Sequence, residues 1–439
     1  MSRAAGRFCV FSALLLLVCF AAGAATITVV NADGPGEGFN DPTPIAAVTG
    51  NTGTTVGQQR LIAFASAAAY WANRLESPVT ITVHAQMNPL SCTRTSGVIG
   101  SAGATDYFAE FPNAPRAATW YPAALANTLA GGDLDPATPE IDAEFNSIVG
   151  TASCLTSIKW WYGVGGTQPA NSISFYNTIR HELAHGLGFI TIVDPTTGIR
   201  FQGMDDAFML YLEDHSTGKT WPQMINAERL FSAVDTGDLH WVGPKVVASS
   251  SVLSAGRAPS GHVQMYAPHP LELGSSVSHW DTVLTPDELM EPNITNDLAD
   301  LVTTQALEDV GWTLAQSSGT CVRDAATGCL QSGRFEVTVS WATTGGAGAA
   351  QVMSFNGQRA ESDESVFWWF FSPTNFEMGV KVLNACALNN KFWVYLSGLT
   401  DQGWTVTVRD TQTGAVKTYS NPLGQLSTTF ADSAAFNCP

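Results

Sequence analysis

Apolar residues recur along the chain with two different periods. Leu61, Phe64, Ala68 and Trp71 follow at spacings of three to four, which predicts a helix over about 58–75. Phe175, Ile179 and Leu183 repeat that spacing and predict a second helix over about 174–187. A third is expected over 298–310. Between them lie short runs with period two or with β-branched composition: 26–30, 79–83 and 141–145, the last preceded by Pro139. Residues 88–135 are rich in Gly, Ala and Pro and predict no regular element. From Phe335 onward the pattern changes to strict alternation. The runs 335–341, 366–371, 392–396 and 404–408 read as strands, and Thr413-Gly414 as a hairpin turn. The expected fold class is therefore α+β, a mixed domain over 26–318 followed by an all-β, sandwich-like domain over 330–439. The stretch 195–278, broken by Gly, Ser and Pro, reads as an inserted segment.

Composition narrows the setting. Only 13% of the 439 residues are charged, with 20 Lys+Arg against 38 Asp+Glu, a net charge of −18. Nucleic acid and anionic membrane surfaces reward Lys and Arg, so neither is an expected partner. The first 25 residues carry Arg3 and Arg7, then an apolar run from Phe8 to Phe20, then Ala21-Ala22-Gly23-Ala24-Ala25. That is the layout of a secretory signal peptide, too short to span a bilayer. Export to the extracellular space or a periplasm is expected. In an oxidising compartment the six remaining cysteines favour disulfides. Sequence neighbourhood suggests Cys92–Cys154, Cys321–Cys329 and Cys386–Cys438.

The chemistry centres on His181-Glu182-Leu183-Ala184-His185. On a helix, positions i and i+4 share a face, so the two imidazoles converge on one point, a donor pair suited to zinc. Glu182 points about 100° away and is free to act on a water whose pKa zinc has lowered, taking its proton as hydroxide attacks a carbonyl. A third ligand must come from elsewhere. The candidates are His215, His240, His262, His269, His279 and the carboxylate of Glu213. His279 stands out because Glu288-Leu289-Met290-Glu291-Pro292 follows it, a Pro-bounded turn in which Met290 could floor a zinc site.

The run His181-Glu-Leu-Ala-His-Gly-Leu-Gly-Phe189, with the distant Ser278-His279-Trp280 and then Glu288-Leu-Met-Glu-Pro292, resembles the leishmanolysin-like metzincin peptidases. That family separates its third zinc histidine from the helix motif by an inserted segment. Compact metzincins place that histidine at position 191, which here is Thr191. The resemblance covers roughly 26–315 and implies a secreted zinc endopeptidase acting on protein or peptide substrates. His181, His185 and His279 would hold the metal, Glu182 would be the general base and acid, and Met290 the Met-turn residue. It likens Ile141–Asn146 to the edge strand along which substrate pairs.

Two rival readings stand beside it. One is a thermolysin-like ligand set with Glu213 as third ligand; the other is a non-catalytic secreted binding protein. Smaller features complete the picture. Asp33, Glu37 and Asp41 in a Gly/Pro loop are candidate calcium ligands, although such loops more often only turn the chain. Phe367-Trp-Trp-Phe-Phe371 reads as a buried strand covered on both faces rather than an exposed platform. Asn293-Ile294-Thr295 is a glycosylation sequon.

Overall fold

The computed structural model describes residues 25–164, 168–293, 295, 298–315, 321–355, 358–412 and 415–438. The expected signal peptide, apart from Ala25, and the Thr413-Gly414 turn lie outside the described residues.

The fold is mixed α+β. Its first sheet has four strands in the order Ile27–Asn31, Ile81–Asn88, Ile141–Asn146, Gly100–Ala104. The first three are parallel; Gly100–Ala104 runs antiparallel to Ile141–Asn146. Along Ile81–Asn88 burial alternates, so Ile81, Val83, Ala85 and Met87 enter the core while His84 faces out beside Asp142 at 3.1 Å. Helix Val56–Ala72 starts at Thr55, whose hydroxyl accepts the Gln58 amide, and buries Phe64, Ala68 and Trp71. It packs on helix Phe175–Leu187, where the Trp71 indole donates to Arg180 O at 2.9 Å. Phe39, Phe64, Phe145 and Phe175 meet edge to face or tilted between these layers, with centroids 5.2–6.3 Å apart.

Two expectations change. Ile141–Asn146 is an interior strand, paired on both sides; the edge strand is Gly100–Ala104, inside the stretch that predicted nothing. Its Gly/Ala composition carries no strand signal, since β propensity comes from β-branched and aromatic side chains. The last helix of this region begins at Thr303 rather than 298. The Glu288 carboxylate accepts the amides of Leu301, Val302 and Thr303, so the chain just before Thr303 is held by this carboxylate rather than by helical turns. Segment 195–278 packs into the main core: Met209, Leu212, Trp221, Leu239, Trp241, Val263 and Met265 belong to the same buried core as the first sheet. It carries a small sheet of Lys219–Thr220, Leu212–Asp214, Leu239–Trp241 and Val263–Gln264.

A second core runs from Leu330 to Phe436. Two antiparallel five-stranded sheets close on it, one built on Phe335–Thr343 and Gly403–Asp410, the other on Met378–Ala385 and Lys391–Gly398. Phe335 and Phe392 meet across it at 4.9 Å. The aromatic run is covered on one face only: Trp368 is fully buried, whereas Phe367 is 38% and Phe371 50% exposed. Strand alternation sends successive rings to opposite faces. The three disulfides are Cys92–Cys154, Cys321–Cys329 and Cys386–Cys438, as neighbourhood suggested, and they fit an extracellular protein. Among the described residues no helix is long and apolar enough to cross a membrane.

Candidate metal centre

Helix Phe175–Leu187 carries the first two imidazoles. Ser174 caps it by accepting the Asn177 amide at 3.2 Å, and Gly188, at φ +120°, ends it with its amide donating to Ala184 O and His185 O. Gly186 lets the helix lie against the sheet, since a Cβ there would come within 2.6 Å of the Ile141 side chain. The helix therefore sits at a depth that only a residue without a side chain permits.

The third imidazole arrives from the far end of the 195–278 segment. After Val263–Gln264, the Met265 amide donates to Leu239 O and the Tyr266 amide to His279 O; the Val277 amide returns to Tyr266 O and that of Asp281 to Gln264 O. This pairing presents His279 to the helix. Thr191, where a compact metzincin would have histidine, turns elsewhere: its hydroxyl donates to Asp206 and its amide to the Ser278 hydroxyl at 3.2 Å. The loop that lacks the ligand thus contacts the segment that supplies it.

The three rings form one group. His279 Nε2 lies 3.1 Å from His181 Nε2 and 3.3 Å from His185 Nε2. Each Nδ1 faces a backbone carbonyl: His181 donates to Leu289 O at 2.8 Å, His185 to Phe189 O at 2.8 Å, His279 to Ser275 O at 2.7 Å. A carbonyl only accepts, so the proton of each neutral ring sits on Nδ1 and each Nε2 presents a lone pair. Burial holds His181 down to about 3 and His185 to about 4, and lowers His279 well below its ordinary value. Three neutral rings therefore aim three lone pairs at one point, a group that could hold a cation. The spacing fits one, because tetrahedral ligands at ~2.0–2.1 Å from a metal stand roughly 3.3 Å apart.

Glu182, next to His181 on the same helix, is also buried. Burial pushes its carboxyl up to about 8, while the Ala102 backbone amide, on the edge strand, donates to it and pulls the other way. A divalent cation at the imidazoles would lower it further. Gly100 of that strand is required here: a Cβ would come within 2.7 Å of Glu182 Oε1. Met290 is fully buried, its carbonyl accepting the Trp280 amide at 2.9 Å, and it follows Leu289, whose carbonyl orients His181.

One residue that the sequence did not flag underlies the turn. Glu288 is fully buried and accepts from the amides of Met290, Leu301, Val302 and Thr303 and from the Thr303 hydroxyl, at 2.7–3.1 Å. Thr303 in turn accepts from the Trp280 indole at 2.9 Å.

The other candidates fall away from this centre. Glu213, His215 and His262 make a separate group on the small sheet, so Glu213 does not complete the His181/His185 pair. His269 joins neither group. The calcium candidates turn backbone instead: Asp33 accepts the amides of Phe39 and Met87, Glu37 that of Gly34, Asp41 that of Thr43. Among the described residues they form no metal-holding group.

No protein-family model matches the chain, nor does any curated protein or any solved structure. The reading of the site rests on its own geometry.

Proposed function

We propose that the protein is a secreted, zinc-dependent endopeptidase of the leishmanolysin-like metzincin kind. The observation that carries this reading is the triangle of Nε2 lone pairs from His181, His185 and His279, with the buried Glu182 in the same helical turn. The donor set suits zinc, being three neutral imidazoles with room for one further ligand. When bound, the ion supplies Lewis acidity and lowers the pKa of a water at the open position. The protein's own groups do the rest. Glu182 takes the proton of the attacking water and passes it to the leaving amine. The carbonyls of Leu289, Phe189 and Ser275 keep each ring in one tautomer and one orientation. The edge strand Gly100–Ala104 borders Glu182, and an extended peptide pairing along it would bring a mid-chain carbonyl to the centre, which favours internal cleavage over trimming of chain ends.

Digestion of an unfolded protein substrate tests the reading. Cleavage is expected, is expected to stop with a chelator, and is expected to fall roughly 10²–10⁴-fold in Glu182→Gln, the range for losing a general base. No chelator-sensitive cleavage across a broad peptide library would sink it.

A further inference from the structure

The chain has eight histidines, and three serve the centre above. Three more gather on the small sheet of the 195–278 segment. Glu213 and His240 face each other across strands Leu212–Asp214 and Leu239–Trp241. His215 stacks on His240, ring centroids 3.7 Å apart and planes 9° from parallel. His240 is fixed by its Nδ1, which donates to Asp238 O at 3.0 Å, so it serves as a platform that sets the plane of His215. His262 closes the turn in which the Ala258 amide donates to its carbonyl, and it brings Nδ1 to 2.9 Å from His215 Nε2.

Glu213 Oε1 completes a triangle, 3.4 Å from His215 Nε2 and 3.5 Å from His262 Nδ1. Both separations are long for a direct hydrogen bond. They are close to the roughly 3.3 Å expected between donors sharing one tetrahedral ion. Two imidazoles and a carboxylate suit zinc and its transition-metal neighbours; calcium and magnesium prefer all-oxygen shells. The three side chains are each about a quarter exposed, 24%, 24% and 25%, so an ion can enter from solvent and keep a water.

We propose that Glu213, His215 and His262 form a second, shallow site for a divalent transition metal, zinc foremost. It is independent of the peptidase reading. An ion there joins the end of strand Leu212–Asp214 to the turn before Val263–Gln264. That second strand leads directly into Met265 and Tyr266, whose neighbours across the pairing are Trp280 and His279. The site would therefore brace the segment that presents the third imidazole, and would stabilise the folded chain in proportion to free metal.

The test is a zinc titration of the chelator-stripped full chain, read by metal content and by the midpoint of thermal unfolding. The site predicts one equivalent fewer in His262→Gln than in the unaltered protein, and the same loss in Glu213→Gln should the first variant fold poorly. It predicts that the double variant His181→Gln, His185→Gln still binds one equivalent and still gains in midpoint when zinc is added. Equal zinc content in the unaltered protein, His262→Gln and Glu213→Gln would overturn it. So would a double variant that binds none. A single equivalent in the unaltered protein, abolished by His262→Gln, would uphold this site and remove the first.

Discussion

The two histidine groups sit in one fold and differ in how their rings are held. In the first, every Nδ1 is anchored to a backbone carbonyl and every ring is buried, so tautomer, plane and charge are settled before any ligand arrives. In the second, His215 and His262 hydrogen-bond each other, a carboxylate stands directly beside them, and only His240 has a carbonyl partner. The first arrangement leaves three lone pairs with no protein partner and is suited to chemistry. The second can satisfy itself and is suited to binding that comes and goes. Histidines close in space do not make equivalent centres; what lies behind each ring decides.

That contrast can be broken most sharply at the ligands. His279→Ala is expected to weaken metal binding at the first group by well over about 100-fold, more than loss of a supporting partner does. Glu213→Ala should leave that group untouched. Metal analysis of the two variants in parallel decides it, and equal effects would erase the distinction.

The next test removes support rather than a ligand. Glu288→Ala leaves five buried donors without their acceptor and is expected to cost about 3–5 kcal/mol, since each unsatisfied buried donor costs about 1–3 kcal/mol before the turn relaxes. Denaturant unfolding measures it, and a cost under about 1 kcal/mol would show that the turn beneath the first group stands without Glu288. Gly186→Ala pushes the helix off Ile141 and should cost about 1–3 kcal/mol by overpacking. Its peptidase activity should fall as well, since the helix carries two imidazoles and Glu182; stability lost with activity intact would argue that the centre tolerates displacement.

The smallest effect concerns pH. Burial pushes Glu291, whose carboxylate accepts the Glu288 amide, up to about 7. A raised carboxyl favours folding fully below its unfolded value near 4.5, and that contribution is lost as pH rises through about 7. Glu291→Gln cannot ionise, so its stability relative to the unaltered protein should improve from pH 5 to pH 8. Unfolding midpoints at those two pH values check the sign, and a variant whose stability relative to the unaltered protein stays level or falls from pH 5 to pH 8 would place the strain elsewhere.

Much of this was legible in the chain. The helix 174–187 could be read because an apolar face and a histidine pair both obey the same 3.6-residue period. The three disulfides could be read because each cysteine has one near neighbour in sequence. The β character of 335–410 could be read because alternation survives wherever one face of a strand is wet. The edge strand Gly100–Ala104 could not, since its role needs absent side chains, and absence leaves no pattern. Nor could Glu288, whose partners lie 13 to 15 residues downstream on a stretch that itself read as helix.

Local sequence determined the pair His181 and His185, the position of Glu182 between them and the glycines that end the helix, because those relations span a single turn and follow from backbone geometry. How the third imidazole reaches that pair was decided only in three dimensions. The chain marks His279 by the Pro-bounded turn that follows it, but the pairing of residues 263–266 with 277–281 is what brings it to the buried helix and leaves His262 on the small sheet. Long-range strand pairing and burial, which no short window contains, made that choice.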